Sequence, residues 1–125
     1  MEANLVNSIR AALLFSADKY RKFGDGLRRF NDPIADTMRA AERDYRRAAA
    51  TVGQIETFAA ADLTSCALAL TARSDELNRK VQLLADRCQM QESSVVEHEL
   101  RTTYAATEAV AALAAGLRTI TPAAA

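Results

Sequence analysis

Tryptophan is missing from these 125 residues, histidine occurs once, cysteine and proline twice each, and glycine four times. With only three Tyr and four Phe beside them, half the residues are nevertheless apolar, and alanine supplies much of that half. Small side chains let helices approach closely but bury little surface each, so the expected core is a long thin seam rather than a deep interior. Net charge is zero, which removes the strong attraction to nucleic acid that a basic chain would have. No uncharged run approaches the ~20 apolar residues of a membrane span, since Asp62 and Glu108 interrupt the longest ones. Glu2, Asn4 and Asn7 do not make the basic start and apolar centre of a secretory signal. Two cysteines in that setting lead us to expect a reducing, cytoplasmic environment.

The largest absence is of helix breakers between residues 33 and 90. After Pro33 there is no proline in that stretch, and Gly53 is its one glycine. What fills it is Ala, Leu, Arg, Glu and Gln, which lose little backbone or rotamer freedom in a helix. Asn31-Asp32-Pro33 marks a start, with Asp32 as N-cap and Pro33 at the first helical position. The apolar stripe Ile34, Met38, Ala41, Tyr45, Ala48, Val52, Ile55 and Ala59 runs in steps of three and four and continues through Leu63, Cys66, Leu70, Leu77, Val81, Leu84 and Cys88, with Arg73 or Ser74 interrupting the apolar row. One helix over about 33–90 would be about 87 Å long.

Two shorter helices flank it. Leu5, Ile9, Ala12, Ser16, Tyr20, Phe23, Leu27 and Phe30 form a heptad-type stripe, placing a helix at 4–23 with an extension to 30 across Gly24-Asp25-Gly26. The phase is lost at Gln89–Ser94, and Ser94 with Glu97 fits a capping box. A third helix over about 95–118 follows, with Val96, Leu100, Thr103, Thr107, Val110, Ala114 and Leu117 on one face. The expectation is one helical domain over 1–118 and a frayed tail over 119–125.

The fold class is therefore all-α, an antiparallel helical bundle or coiled coil. In the preferred arrangement the outer helices fold back on opposite halves of the long one, and a second chain covers the remaining apolar faces. The alternative is a compact up-down four-helix bundle with a turn near Ala60-Ala61-Asp62. Its helices would be nearly equal in length, but that turn lacks Gly, Pro and Asn. A further break is expected, if anywhere, at Ser74-Asp75-Glu76, which resembles an N-cap and an acidic first turn.

Chemistry is sparse. His98 lies between Glu97 and Glu99, but neighbours on a helix point about 100° apart and cannot chelate one ion together. Cys66 and Cys88 sit on the apolar stripe and read as buried, reduced thiols, placed symmetrically about Leu77. No Gly-rich phosphate loop, nucleophile elbow or Cys/His pair is present. The expectation is a protein with no catalytic residues, no cofactor, no metal and no small-molecule substrate.

Charge is unevenly placed. From Asp18 to Arg47 there are nine Lys or Arg against six Asp or Glu, whereas from Gln91 to Arg118 there are two against four. Such asymmetry favours head-to-tail or antiparallel pairing. Arg39, Arg43 and Arg46 share a helical face and are candidate contacts for an anionic surface, although Asp36, Glu42 and Asp44 among them favour local ion pairs.

The function these features imply is that of a structural or adaptor protein working by helix–helix contact, as an elongated antiparallel homodimer or a small subunit of a helical assembly. The candidate interface is the stripe itself: Leu5, Ile9, Tyr20, Phe23, Leu27, Phe30, Ile34, Met38, Tyr45, Val52, Ile55, Leu63, Leu70, Leu77, Val81, Leu84, Leu100, Val110 and Leu117. Peripheral binding to an anionic membrane through the basic half is the alternative, and nucleic acid is the weaker partner.

Overall fold

Apolar spacing of three and four along the chain produces helices, and helices are the one kind of regular secondary structure that the computed structural model contains among its described residues, 3–27, 33–53 and 60–120. Helix α1 spans Ala3–Leu27, α2 Pro33–Thr51, α3 Ala60–Asp86 and α4 Met90–Ile120. Acidic residues stand in the first turns of three of them, Asp36 in α2, Asp62 in α3 and Glu92 in α4, where they complement the positive end of the helix dipole.

The all-α antiparallel bundle is as the sequence implies, and the described residues form four helices. The single helix over 33–90 is not observed. A straight helix would hold Tyr45 and Leu68 about 35 Å apart, yet the two line one cavity. The chain leaves the α-helix at Val52 and Gly53, which adopt 3₁₀ geometry. A glycine in a helix interior costs ~1 kcal/mol relative to alanine, so Gly53 weakens the stretch at the point where α2 ends. The break thus begins before the Ala60–Asp62 turn of the alternative, and Ile55, Phe58 and Ala59 lie outside the described residues, as does Phe30.

Helices α1 and α2 form an antiparallel hairpin. Tyr20 stacks on Tyr45 with ring centroids 5.5 Å apart and planes at 15°, and the Arg10 guanidinium donates to the Ala49 carbonyl at 3.4 Å. Toward the hairpin's closed end Gly24 is buried against α2, where an added Cβ would meet the Met38 Cβ at 3.6 Å. The α1 stripe crosses Gly24-Asp25-Gly26 without a break, as its phase implies, and the helix runs to Leu27.

Helices α3 and α4 form the second hairpin, closed by Arg87-Cys88-Gln89. The Cys88 N–H donates to the Ala85 carbonyl at 3.0 Å and the Gln89 N–H to the Leu84 carbonyl at 2.9 Å. Cys88 itself is left-handed, with φ of 58°. This is a Schellman cap with cysteine at the position glycine usually takes. No break occurs at Ser74, which is buried inside α3. The expected capping box is also overturned: α4 starts at Met90, and the interior Ser94 hydroxyl donates to the Met90 carbonyl at 3.1 Å. Met-Gln-Glu are sound helix formers, so α4 begins inside the polar stretch rather than after it.

The core is shared. Ile9, Leu13 and Ala17 of α1 meet Tyr45, Ala48 and Val52 of α2, Leu63, Cys66 and Leu70 of α3, and Ala106 and Val110 of α4. Buried threonine is accommodated because its hydroxyl bonds to its own helix: Thr103 donates to the Glu99 carbonyl at 2.8 Å.

Candidate interaction surfaces

Three surfaces stand out, each assembled from the hairpins just described. The first is a cavity of about 490 Å³ between α1, α2 and α3. Helix α1 contributes Ser16, Lys19, Tyr20 and Phe23, α2 contributes Met38 and Tyr45, and α3 contributes Leu68 and Ala72. The opening leaves Phe23 55% and Leu68 58% exposed. Burial pushes the Tyr45 hydroxyl above its ordinary pKa, and the neighbouring Tyr20 adds to the shift. Lys19 is the one charged side chain among the described lining residues. Its neighbour Asp18 is held by Arg21 and, at 3.1 Å, by Lys22. The hydrogen bond from Lys22, with the charge of Arg21 behind it, keeps the Asp18 carboxyl below the usual carboxylate range.

The second is the end of the α3–α4 hairpin. Leu77 and Leu100 are buried, but beyond them Val81, Leu84 and Val96 are half-buried, and Leu83, Met90 and Val95 are exposed. Met90 is 64% and Val95 60% accessible, the two highest values among the large apolar residues. Ser93, between them in sequence, is buried, while Met90 and Val95 on either side of it face water.

The third is a polar notch lined by Asn7, Ser8 and Ala11 of α1, Arg73 of α3, and His98, Glu99, Thr102 and Thr103 of α4. Arg73 organises it. Its guanidinium lies 5.1 Å from the centroid of the Phe15 ring and 3.4 Å from the Glu99 carboxylate. His98 is exposed there. No group of three or more metal-ligating side chains is brought together among the described residues.

The stripe residues divide by location. Ile9, Tyr45, Val52, Leu63, Leu70, Leu77, Leu100 and Val110 are buried by the chain's own helices, so they are not open to a second chain. A four-helix bundle consumes within one molecule the surface that a two-helix hairpin would have offered to another. Leu5, Tyr20, Met38, Val81 and Leu84 are half-buried, while Phe23 and Ile34 are exposed. The side chains of Leu27, Phe30, Ile55 and Leu117 lie outside the described set. Cys88, expected in the seam, is exposed at the hairpin turn, and Cys66 is buried as expected.

Of the arginines on α2, Arg39 pairs with Asp36 at 3.5 Å and Arg46 with Glu42 at 3.8 Å. Arg43 is exposed and makes no ion pair among the described residues. Exposed pairs of this kind contribute little stability but neutralise the strip at short range. No described helix is long and apolar enough to cross a membrane. Leu13, Ala17, Ala49, Ala69 and Ala106 of the core cluster, buried beside the stripes rather than on them, are positions that heptad spacing alone passes over. No family model, curated protein or solved structure matches the chain.

Proposed function

We propose that this chain is a non-enzymatic structural or adaptor protein that acts by helix–helix association, with a second copy of itself as the partner. The observation that supports this reading is the uncovered apolar end of the α3–α4 hairpin, where Leu83, Met90 and Val95 are exposed beside half-buried Val81, Leu84 and Val96. Two antiparallel helices with one side covered are half of a four-helix bundle. A second copy of the same hairpin end, related by a two-fold axis, completes it and presents the same patch to itself. Pairing at the hairpin ends also gives an elongated particle. The cytoplasm suits a chain with one buried and one exposed unpaired thiol.

Binding to an anionic surface through Arg39, Arg43 and Arg46 has less support, because two of the three already face a carboxylate. Sedimentation velocity separates the readings. Self-association at micromolar concentration is expected, and it should be abolished by Met90→Glu together with Val95→Glu. Both positions are exposed, so helicity by circular dichroism should be unchanged. A wild-type chain that stays monomeric up to ~1 mM, where binding is worth only ~4 kcal/mol, overturns the proposal.

A further inference from the structure

The cavity between α1, α2 and α3 lies apart from the hairpin end on which the proposed pairing rests. We infer that it is a binding site for a medium-chain aliphatic carboxylic acid, with the hydrocarbon against Phe23, Met38 and Leu68 and the carboxylate on Lys19 and the Ser16 hydroxyl.

Size comes first. About 490 Å³ falls within the range of small-molecule sites, which run from about 300 to 1,000 Å³. The lining is apolar and adaptable: Met38 is unbranched and soft, and Phe23 and Leu68 flank the opening with more than half of their surface free. A flexible chain fits such a surface better than a rigid planar ring does.

The polar groups decide the chemistry. Ser16 is 4% exposed, lines the cavity, and has no hydrogen-bond partner among the described residues. It is also not a sealed, unsatisfied group, so its oxygen opens onto the cavity. A hydroxyl in that position is a donor waiting for an acceptor. Lys19, one turn further along α1, brings a positive charge with no ion pair among the described residues, because Asp18 is engaged by Arg21 and Lys22. No carboxylate lines the cavity among those residues. A cationic ligand therefore meets repulsion, and a neutral one leaves Lys19 unused. A single carboxylate at the head of an apolar chain uses Lys19 and the Ser16 hydroxyl at once.

The test is a calorimetric titration of the full chain with decanoate, held below its micelle concentration, alongside 1-decanol and decyltrimethylammonium. Saturable one-to-one binding of decanoate is expected, with the alcohol about tenfold weaker and the ammonium weaker still, since a charge-assisted hydrogen bond is worth ~1.5 kcal/mol or more. Lys19→Gln, a change at an exposed position, should weaken decanoate about tenfold and leave decanol unchanged. Ala72→Phe should block both while circular dichroism shows the helices intact. The inference is overturned by absence of saturable binding, by equal affinity for acid and alcohol, or by a Lys19→Gln variant that binds decanoate as well as the wild type. It is equally overturned if Phe23→Ser and Leu68→Ser abolish self-association, because the cavity would then be filled by a second copy.

Discussion

Two cysteines that both fall on the apolar stripe have opposite environments. Cys66 is wholly buried in the four-helix core, and burial, with Asp62 nearby, pushes its thiol up to about 12. Cys88 is exposed at the tip of the second hairpin. In the native protein a disulfide-exchange reagent at pH 8 should therefore modify one thiol per chain quickly and the second only on unfolding. The sign of the pH effect follows from the same shift. A thiol that holds its proton more tightly when folded contributes stability that is fully present below its unfolded pKa near 9 and is lost as pH rises toward about 12. Between pH 8 and 10 the wild type should lose ~1 kcal/mol through this group, and Cys66→Ala should flatten that slope although its overall stability is lower. Parallel slopes in denaturant titrations at the two pH values would refute the assignment. Much at this scale was legible: Ile9, Tyr45, Leu63, Leu70 and Val110 are buried where apolar spacing puts them. Leu13, Ala17 and Ala69 were not, because a bundle buries a broader face than a two-helix seam does. Phe23, on the stripe yet exposed, borders a cavity that no spacing rule describes.

Helix ends were less legible than helix faces, and the α3–α4 turn shows the reason. Loss of apolar phase correctly marks a boundary near Gln89, but the residue that reverses the chain is Cys88, which has no turn propensity to reveal it. Its left-handed φ of 58° places a Cβ where only glycine is at ease, at a cost of roughly 1–2 kcal/mol. Cys88→Gly should therefore stabilise the protein by about 1 kcal/mol, the relief of strain being partly offset by the freedom glycine gains in the unfolded chain. Cys88→Ala keeps the strain and removes only an exposed sulfur, so it should be near neutral. Chemical denaturation of the pair checks this, and an Ala variant as stable as the Gly variant would show that the cap holds no strain. At the end of α2 the opposite happened. Gly53 was visible as the one glycine of a long helical stretch, and it stands where the α-helix gives way to 3₁₀ geometry. Its cost of ~1 kcal/mol relative to alanine does not by itself end a helix. Tertiary packing settled the matter, since folding α3 back buries Leu63, Cys66 and Leu70 against α1 and α2.

For the whole molecule the question is whether two hairpins that each close locally behave as one body. The core answers it in residues: Leu13 of the first hairpin and Leu70 of the second are both fully buried and belong to the same cluster. Removing either side chain to alanine leaves a cavity in shared space, and such changes cost about 2–5 kcal/mol. If the core couples the hairpins, Leu13→Ala and Leu70→Ala should each lower one common melting transition, with circular dichroism and exposure of the Cys66 thiol moving together. Leu14→Ala, which trims an exposed side chain on α1 away from the proposed pairing surface, should shift that transition by less than about 0.5 kcal/mol. Were the hairpins independent, Leu70→Ala would expose Cys66 while α1 and α2 stayed folded, giving two transitions instead of one. That separation is disfavoured because Cys66 is fully buried in the cluster that also holds Ile9 and Val52, from both helices of the other hairpin. An opening of α3 that freed the thiol would uncover those side chains as well.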